Sequence, residues 1–171
     1  MKKKTGRNSG KVHLKSKHTI AESAETGKPK SPPSHSMEKI QWKPGTMIYP
    51  LPAVLVSCGE FGGDANIITI AWTGIVCTDP AMCYISVRPE RHSYGLIRKK
   101  KAYCINLTTR RLAYATDFCG VKSGRDIDKF KELGLTPVKA SKIDVPIIAE
   151  SPVNIECRVV EIKELGVHHM F

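Results

Sequence analysis

Residues 82–94 read MCYISVRPERHSY, and the change of texture at its middle organises the rest of the chain. Met82–Val87 is a short apolar run of β type, entered through the turn signal Thr78-Asp79-Pro80. The following seven residues, Arg88–Tyr94, hold two arginines, a histidine and two hydroxyl groups. Ser93 reads as the N-cap of a short helix reaching about Lys100. The Arg98-Lys99-Lys100-Lys101 end of that helix would set positive charge at its negative terminus. Free backbone N–H groups beside fixed cations make an anion site at such a turn. On residue chemistry alone, a solvated surface turn remains the alternative.

Working outward, the neighbouring segments have the same strand-and-turn texture. Ala53–Cys58 (AVLVSC) is a β run entered through Pro50 and Pro52, and Gly59–Asn66 (GEFGGDAN) is dense in turn residues. Asn66–Gly74 (NIITIAWTG) alternates as one half-buried strand. Ala102–Leu107 is again strand-like, and Thr109–Cys119 reads as a helix stopped by Gly120. Ser123 opens a further helix that Gly134 stops, and Val153–Ile162 alternates with Ile155, Cys157 and Val159 on one face. Several short strands with two or three short helices argue for a β-barrel or α+β domain, not a doubly wound sheet.

The chain of 171 residues carries a formal charge of +11, with 27 Lys and Arg against 16 Asp and Glu. Nine of those basic residues and only Glu22 and Glu25 fall in residues 1–36, so the basic character belongs mostly to this stretch. It is rich in Lys, Ser, Gly and Pro and reads as a disordered tail, or as an over-extended start ahead of Met37. A nucleic-acid role through this tail is a weak third reading, because the remainder is nearly neutral and aromatics are 6% of the chain. No run approaches the roughly 18 apolar residues of a membrane helix, and no apolar segment follows the charged start, which points to the cytoplasm. The six cysteines have no C-x-x-C or metal-finger spacing and read as reduced thiols.

Known catalytic signatures are missing: there is no Gly-x-Ser-x-Gly, Walker loop or Gly-x-Gly-x-x-Gly after a strand. No acidic spacing completes a metal site with His92, His168 and His169, and none is expected. What remains is an anion-and-ring site. Ser123, Arg125 and Lys129 could converge with Arg91 on an anion. Asn66, Thr69 and Trp72 would suit a flat heterocycle with hydrogen-bonding edges. The plain alternative makes these surface charges and a core tryptophan.

Six segments in one order carry a further signal. PLPAVLVSCG (50–59), NIITIAWTG (66–74), TDPAMCYISVRPERHSYGLI (78–97), CINL (104–107), CGVKSGRDIDKF (119–130) and SPVNIECRVVEI (151–162) together resemble the flavin reductase-like, FMN-binding split-barrel family of the flavoredoxin type. The resemblance runs from about Pro44 to Phe171, so residues 37–171 are expected to form one such domain. It implies a mainly β split barrel with short helices, a homodimer, and FMN held near the subunit interface.

By position, the resemblance assigns Asn66, Thr69, Ala71, Trp72 and Thr73 to the strand along the flavin ring. Ser86, Arg91, His92 and Ser93 fall in the segment linked to flavin and phosphate binding. Asn106, Leu107, Ser123 and Lys129 complete the cofactor set, and His168 matches a histidine near the flavin. The implied activity is that of an oxidoreductase taking electrons from NAD(P)H or a redox partner protein and passing them to flavin, ferric iron or another acceptor. A non-catalytic FMN-binding electron carrier is the alternative. Family members continue past His168-His169-Met170-Phe171, so the resemblance also implies a barrel short of its last strands, with an unpaired edge.

Overall fold

The computed structural model describes residues 39–171; the basic stretch 1–36 lies outside the described residues. Residues 39–47 carry no helix or strand, and the unit Ile48–Phe171 holds every element of the described residues. In chain order these are β1 (Val54–Cys58), β2 (Asn66–Ile70), β3 (Thr73–Thr78), β4 (Ala81–Val87), α1 (His92–Lys100), β5 (Ala102–Asn106), α2 (Ala113–Val121), α3 (Lys129–Leu133), β6 (Pro137–Lys139), β7 (Pro146–Ile148), β8 (Asn154–Arg158), β9 (Lys163–Glu164) and β10 (His169–Met170).

Two four-stranded sheets carry the fold, ordered β2-β1-β5-β8 and β3-β4-β10-β9, with β6-β7 as a separate hairpin. Every pairing is antiparallel. β1 is central in the first sheet and buried at all five positions, which is why AVLVSC is almost continuously apolar instead of alternating. One face of that strand, Val54, Val56 and Cys58, packs with Ile85 and Val87 of β4, Tyr94 and Ile97 of α1, and Phe171. The other face offers Leu55, which with Ile67 of β2 meets Leu112, Ala115 and Cys119 beneath α2, and Phe130 and Ile148. The sheet is thus covered on both sides.

NIITIAWTG is two strands, not one. After Ile70 the chain leaves the first sheet, and at Thr73 it joins the second. Ala71 and Trp72 make the crossing. The carbonyl of Trp72 accepts from Ser86 N at 2.9 Å, and the Thr73 hydroxyl donates to the Tyr84 carbonyl at 2.7 Å. Hydrophobic alternation reports a strand's faces and not the sheet it belongs to, so this break is invisible in local pattern. A Cβ on Gly74 would lie 2.9 Å from the Tyr84 ring, so a larger residue there would have to displace that side chain.

The helix starts also differ from local expectation. Ser93 is not the N-cap of α1; Arg91 takes that place with extended backbone and no side-chain cap, and Ser93 lies in the first turn, buried. Its hydroxyl is engaged by a tertiary partner, as described below. The second helix begins later than Thr109, after a 3₁₀ turn at Arg110–Leu112, and runs through Gly120 to Val121. Ser123 opens no helix. Asp128 does, its carboxylate accepting from Lys131 N at 3.2 Å, while Gly134 with φ +62° closes α3 as expected.

All six cysteines are free thiols. No helix of the described residues is long and apolar enough to cross a membrane.

Candidate flavin site

The sheet crossing at Ala71–Trp72 sets two adjoining grooves. The first, about 230 Å³, is walled by Asn66 and Ile68 of β2, residues 90–93 at the start of α1, residues 121–125, and Lys129. The second, about 270 Å³, is lined by residues 68–72, Ser86–Arg88, Arg91, Gly120 and His168. Ile68 and Arg91 belong to both, so the two form a continuous site with different chemistry at each end.

The first groove is cationic. Arg91, Lys122, Arg125 and Lys129 line it against one carboxylate, Glu90, whose Oε1 is already taken by Arg88 Nε at 2.5 Å. Arg91 is anchored by donating through Nη2 to the Gly120 carbonyl at 2.7 Å, which leaves the rest of its fork for another acceptor. Arg125 is held by the Glu90 carbonyl at 3.0 Å and by a bond from its own N–H to Ser123 Oγ at 3.2 Å.

Lys129 is 3% exposed, and its ammonium donates to the carbonyls of Ile67 at 2.7 Å and Cys119 at 3.1 Å. Among the described residues no carboxylate pairs with it. Burial, with the nearby Arg91 charge adding to it, lowers its pKa below the usual lysine value. A buried cation held only by neutral carbonyls strengthens the positive potential of the groove.

Asn66 and Ser93 are the hidden frame of this end. Asn66 is buried, and its Nδ2 donates to Ser93 Oγ at 2.8 Å, tying β2 to the first turn of α1. Gly124 closes over the same amide: a Cβ on it would stand 2.2 Å from Asn66 Oδ1. Beneath them the enclosed Cys58 thiol is pushed up to about 12 by burial, so it is no thiolate nucleophile. Cys104 and Cys119 are likewise raised, to about 12 and about 11, chiefly by burial.

The second groove is flatter and ends in two rings. Trp72 and His168 stack with centroids 4.1 Å apart and 36° between planes, although they are far apart in sequence. Burial lowers the pKa of His168 below that of a free histidine, and the Arg88 charge pushes the same way, so the ring is neutral at pH 7. Thr69 is half-buried, with its hydroxyl donating to the Thr116 carbonyl, and Ser86 also lines this groove.

The structure therefore brings Asn66, Thr69, Ala71, Trp72, Ser86, Arg91, His92, Ser93, Ser123, Lys129 and His168 to one continuous site. It places three others elsewhere. Thr73 spends its hydroxyl on the β3–β4 ladder. Leu107 packs against the core between the sheets. Asn106 is fully buried: its Nδ2 donates to the Leu55 carbonyl and Ser57 Oγ, both at 2.9 Å, and its Oδ1 accepts from Ile148 N and Asn154 Nδ2 at 3.1 and 2.7 Å. In this chain it joins β1, β5, β7 and β8. Gly120 and Lys122 also line the site; in sequence Gly120 reads only as a helix stop, and Lys122 lies within the segment CGVKSGRDIDKF with no role of its own.

The mainly β frame that carries these grooves is similar to that of flavin-binding split-barrel proteins. Flavoredoxin of Desulfovibrio vulgaris (Miyazaki F) matches with a TM-score of 0.71 at 32% identity, covering 77% of this chain and 72% of that one. Flavoredoxin from Methanosarcina acetivorans matches with the same TM-score at 28% identity, over 79% and 71%. In sequence, an uncharacterized protein of Pyrococcus abyssi is 32% identical over 125 residues, 73% of this chain and 71% of the relative. The model of the flavin reductase like domain matches residues 45–171, and the chain belongs to that family.

Proposed function

We propose that this protein is an FMN-dependent oxidoreductase of the flavin reductase type, taking electrons from NAD(P)H or a protein donor and passing them to flavin, ferric iron or another acceptor. The observation that carries this reading is the placement of Arg91, shared by a cationic groove and a ring-walled one. FMN has that same division, a phosphate at one end and a flat ring system at the other. The donor set fits it: Arg91, Ser123 and Arg125 would hold the phosphate, with the Lys129 charge behind them. The main chain of residues 68–72 would border the ring edge, and Gly124 lets the loop after α2 close on the Asn66 amide at the phosphate end.

Bound FMN supplies the hydride and electron chemistry, and the polypeptide supplies position and charge. Trp72 and His168 wall the ring groove. A neutral His168 can donate or accept one hydrogen bond without adding a second positive charge beside Arg88. Titration of the purified protein with FMN, followed by the shift and quenching of flavin absorbance and fluorescence, tests the reading. One equivalent bound supports it; no spectral change at millimolar FMN rejects it.

An electron carrier with no nicotinamide turnover is the second reading. It is favoured by one observation: the two similar structures from Desulfovibrio vulgaris and Methanosarcina acetivorans, at 32% and 28% identity, are both flavoredoxins. Steady-state oxidation of NADH and NADPH, with free FMN or a ferric chelate as acceptor, separates the two. A homodimer in the cytoplasm completes the proposal, and sedimentation at micromolar protein tests the assembly.

A further inference from the structure

One sulfur pair stands outside the flavin site. Cys83 lies in β4 of the second sheet and Cys157 in β8 of the first, and these strands do not pair with one another. Their Sγ atoms are 3.6 Å apart, the one sulfur–sulfur contact among the described residues. Both side chains are half-buried at the margin of the core between the sheets, whereas Cys58, Cys104 and Cys119 are enclosed. Tyr103 stands opposite Cys157 in the β5–β8 register, and its hydroxyl reaches toward the Phe171 carbonyl at 3.5 Å.

We propose that Cys83 and Cys157 are a reversible oxidative modification site, joined as an intramolecular disulfide when the protein meets a peroxide. One sulfur, as thiolate, attacks a peroxide oxygen. The O–O bond breaks, and the departing hydroxide leaves as water with the thiol's proton. The resulting sulfenic acid is attacked by the second sulfur; the S–S bond forms, the S–O bond breaks, and a second water leaves. Two thiols and one hydrogen peroxide thus give one disulfide and two waters. The proximity of the pair favours closure over further oxidation of the first sulfur.

Two features shape the rate and the consequence. Burial raises the Cys157 thiol well above its usual range, which slows its own attack as a thiolate. The Tyr103 phenol, itself raised by burial, stays protonated and can donate to a sulfur anion. Once formed, the bond staples two sheets that share a core without sharing a ladder. It closes a long loop of chain, so it stabilises the fold chiefly by restricting the unfolded state.

The test treats the full chain with hydrogen peroxide, blocks remaining thiols with iodoacetamide, and measures intact mass and melting temperature. The expected product is a monomeric chain lighter by about 2 Da before alkylation, with two thiols lost and both recovered by dithiothreitol. Its melting temperature should rise by roughly 5–10 °C. The tryptic fragment that carries Cys83 also carries Cys58 and Cys77, so variants make the assignment. Cys83→Ala and Cys157→Ala should each abolish the product, and Cys77→Ala should leave it intact. Cys83→Ser and Cys157→Ser repeat the test should an alanine variant melt early under dithiothreitol. Persistence of the same product without Cys83 or Cys157, oxygen addition at separate sulfurs, or a cross-link between chains would each overturn the proposal.

Discussion

Gly124 rests on the side chain of Asn66 so closely that a Cβ would fall 2.2 Å from Asn66 Oδ1, nearer than any real Cβ approaches. The same amide donates from Nδ2 to Ser93 Oγ. One small residue in the loop after α2 therefore fixes the joint between β2 and α1. Gly124→Ala must push the loop outward or turn the amide away from Ser93. We expect a stability loss of about 1–3 kcal/mol and FMN affinity weakened by roughly tenfold or more. Chemical denaturation and flavin titration read the two effects separately. Unchanged values in both would show that the loop yields freely.

Arg91 is the cation common to both grooves, and the Gly120 carbonyl fixes one arm of its fork. Replacing it with alanine removes both a charge and a directional donor set. Arg91→Ala should weaken FMN binding by about 10–100-fold, the range of a charge-assisted hydrogen bond. Arg91→Lys should recover only part of that, because an ammonium cannot hold the carbonyl and a phosphate with one planar fork. If lysine restores full affinity, the role of Arg91 is charge alone.

Much of this arrangement was legible in residue order, because the segments 66–72, 86–93 and 119–129 come together as the walls of the same two grooves. What local pattern could not show are the places where a distant partner decides. Ser93 has the chemistry of an N-cap, yet Asn66 claims its hydroxyl from 27 residues away, and Arg91 becomes the cap instead. Gly120 looks like a helix stop, but α2 continues through it while its carbonyl serves Arg91. The run 66–74 is uniformly β in character although it changes sheets in its middle. β9 and β10 are two residues each and exist by pairing with each other and with β4, with no hydrophobic period of their own to read.

His168 provides a pH test. Its pKa is lowered in the folded chain by burial and by Arg88, so the unfolded chain holds the proton more tightly. In the window between that lowered value and the free histidine value near 6.5, the unfolded state binds more protons, and stability rises with pH. Conversely, as pH falls below about 6.5 this contribution to stability diminishes. His168→Gln should flatten that part of the stability profile. Resonances of the His168 ring, followed by NMR from pH 4 to 8, should titrate below those of a free histidine. A midpoint above 6.5 would contradict the assignment.

Asn106 separates the demands of the fold from those of the ligand. It is wholly buried, and its amide joins β1 and β5 to the β7–β8 region through both its donor and its acceptor atoms. Removing the amide leaves the Ile148 N–H and the Asn154 side chain without their acceptor, and the Leu55 carbonyl without that donor. Each stranded buried group costs about 1–3 kcal/mol, and partial rearrangement reduces the sum. Asn106→Ala should therefore lower stability by roughly 3 kcal/mol or more while the folded fraction keeps its FMN affinity within about twofold. Denaturation with flavin absent gives the first quantity; titration well below the melting temperature gives the second. A large affinity loss with little loss of stability would return Asn106 to the cofactor-binding set, where the family resemblance alone had put it.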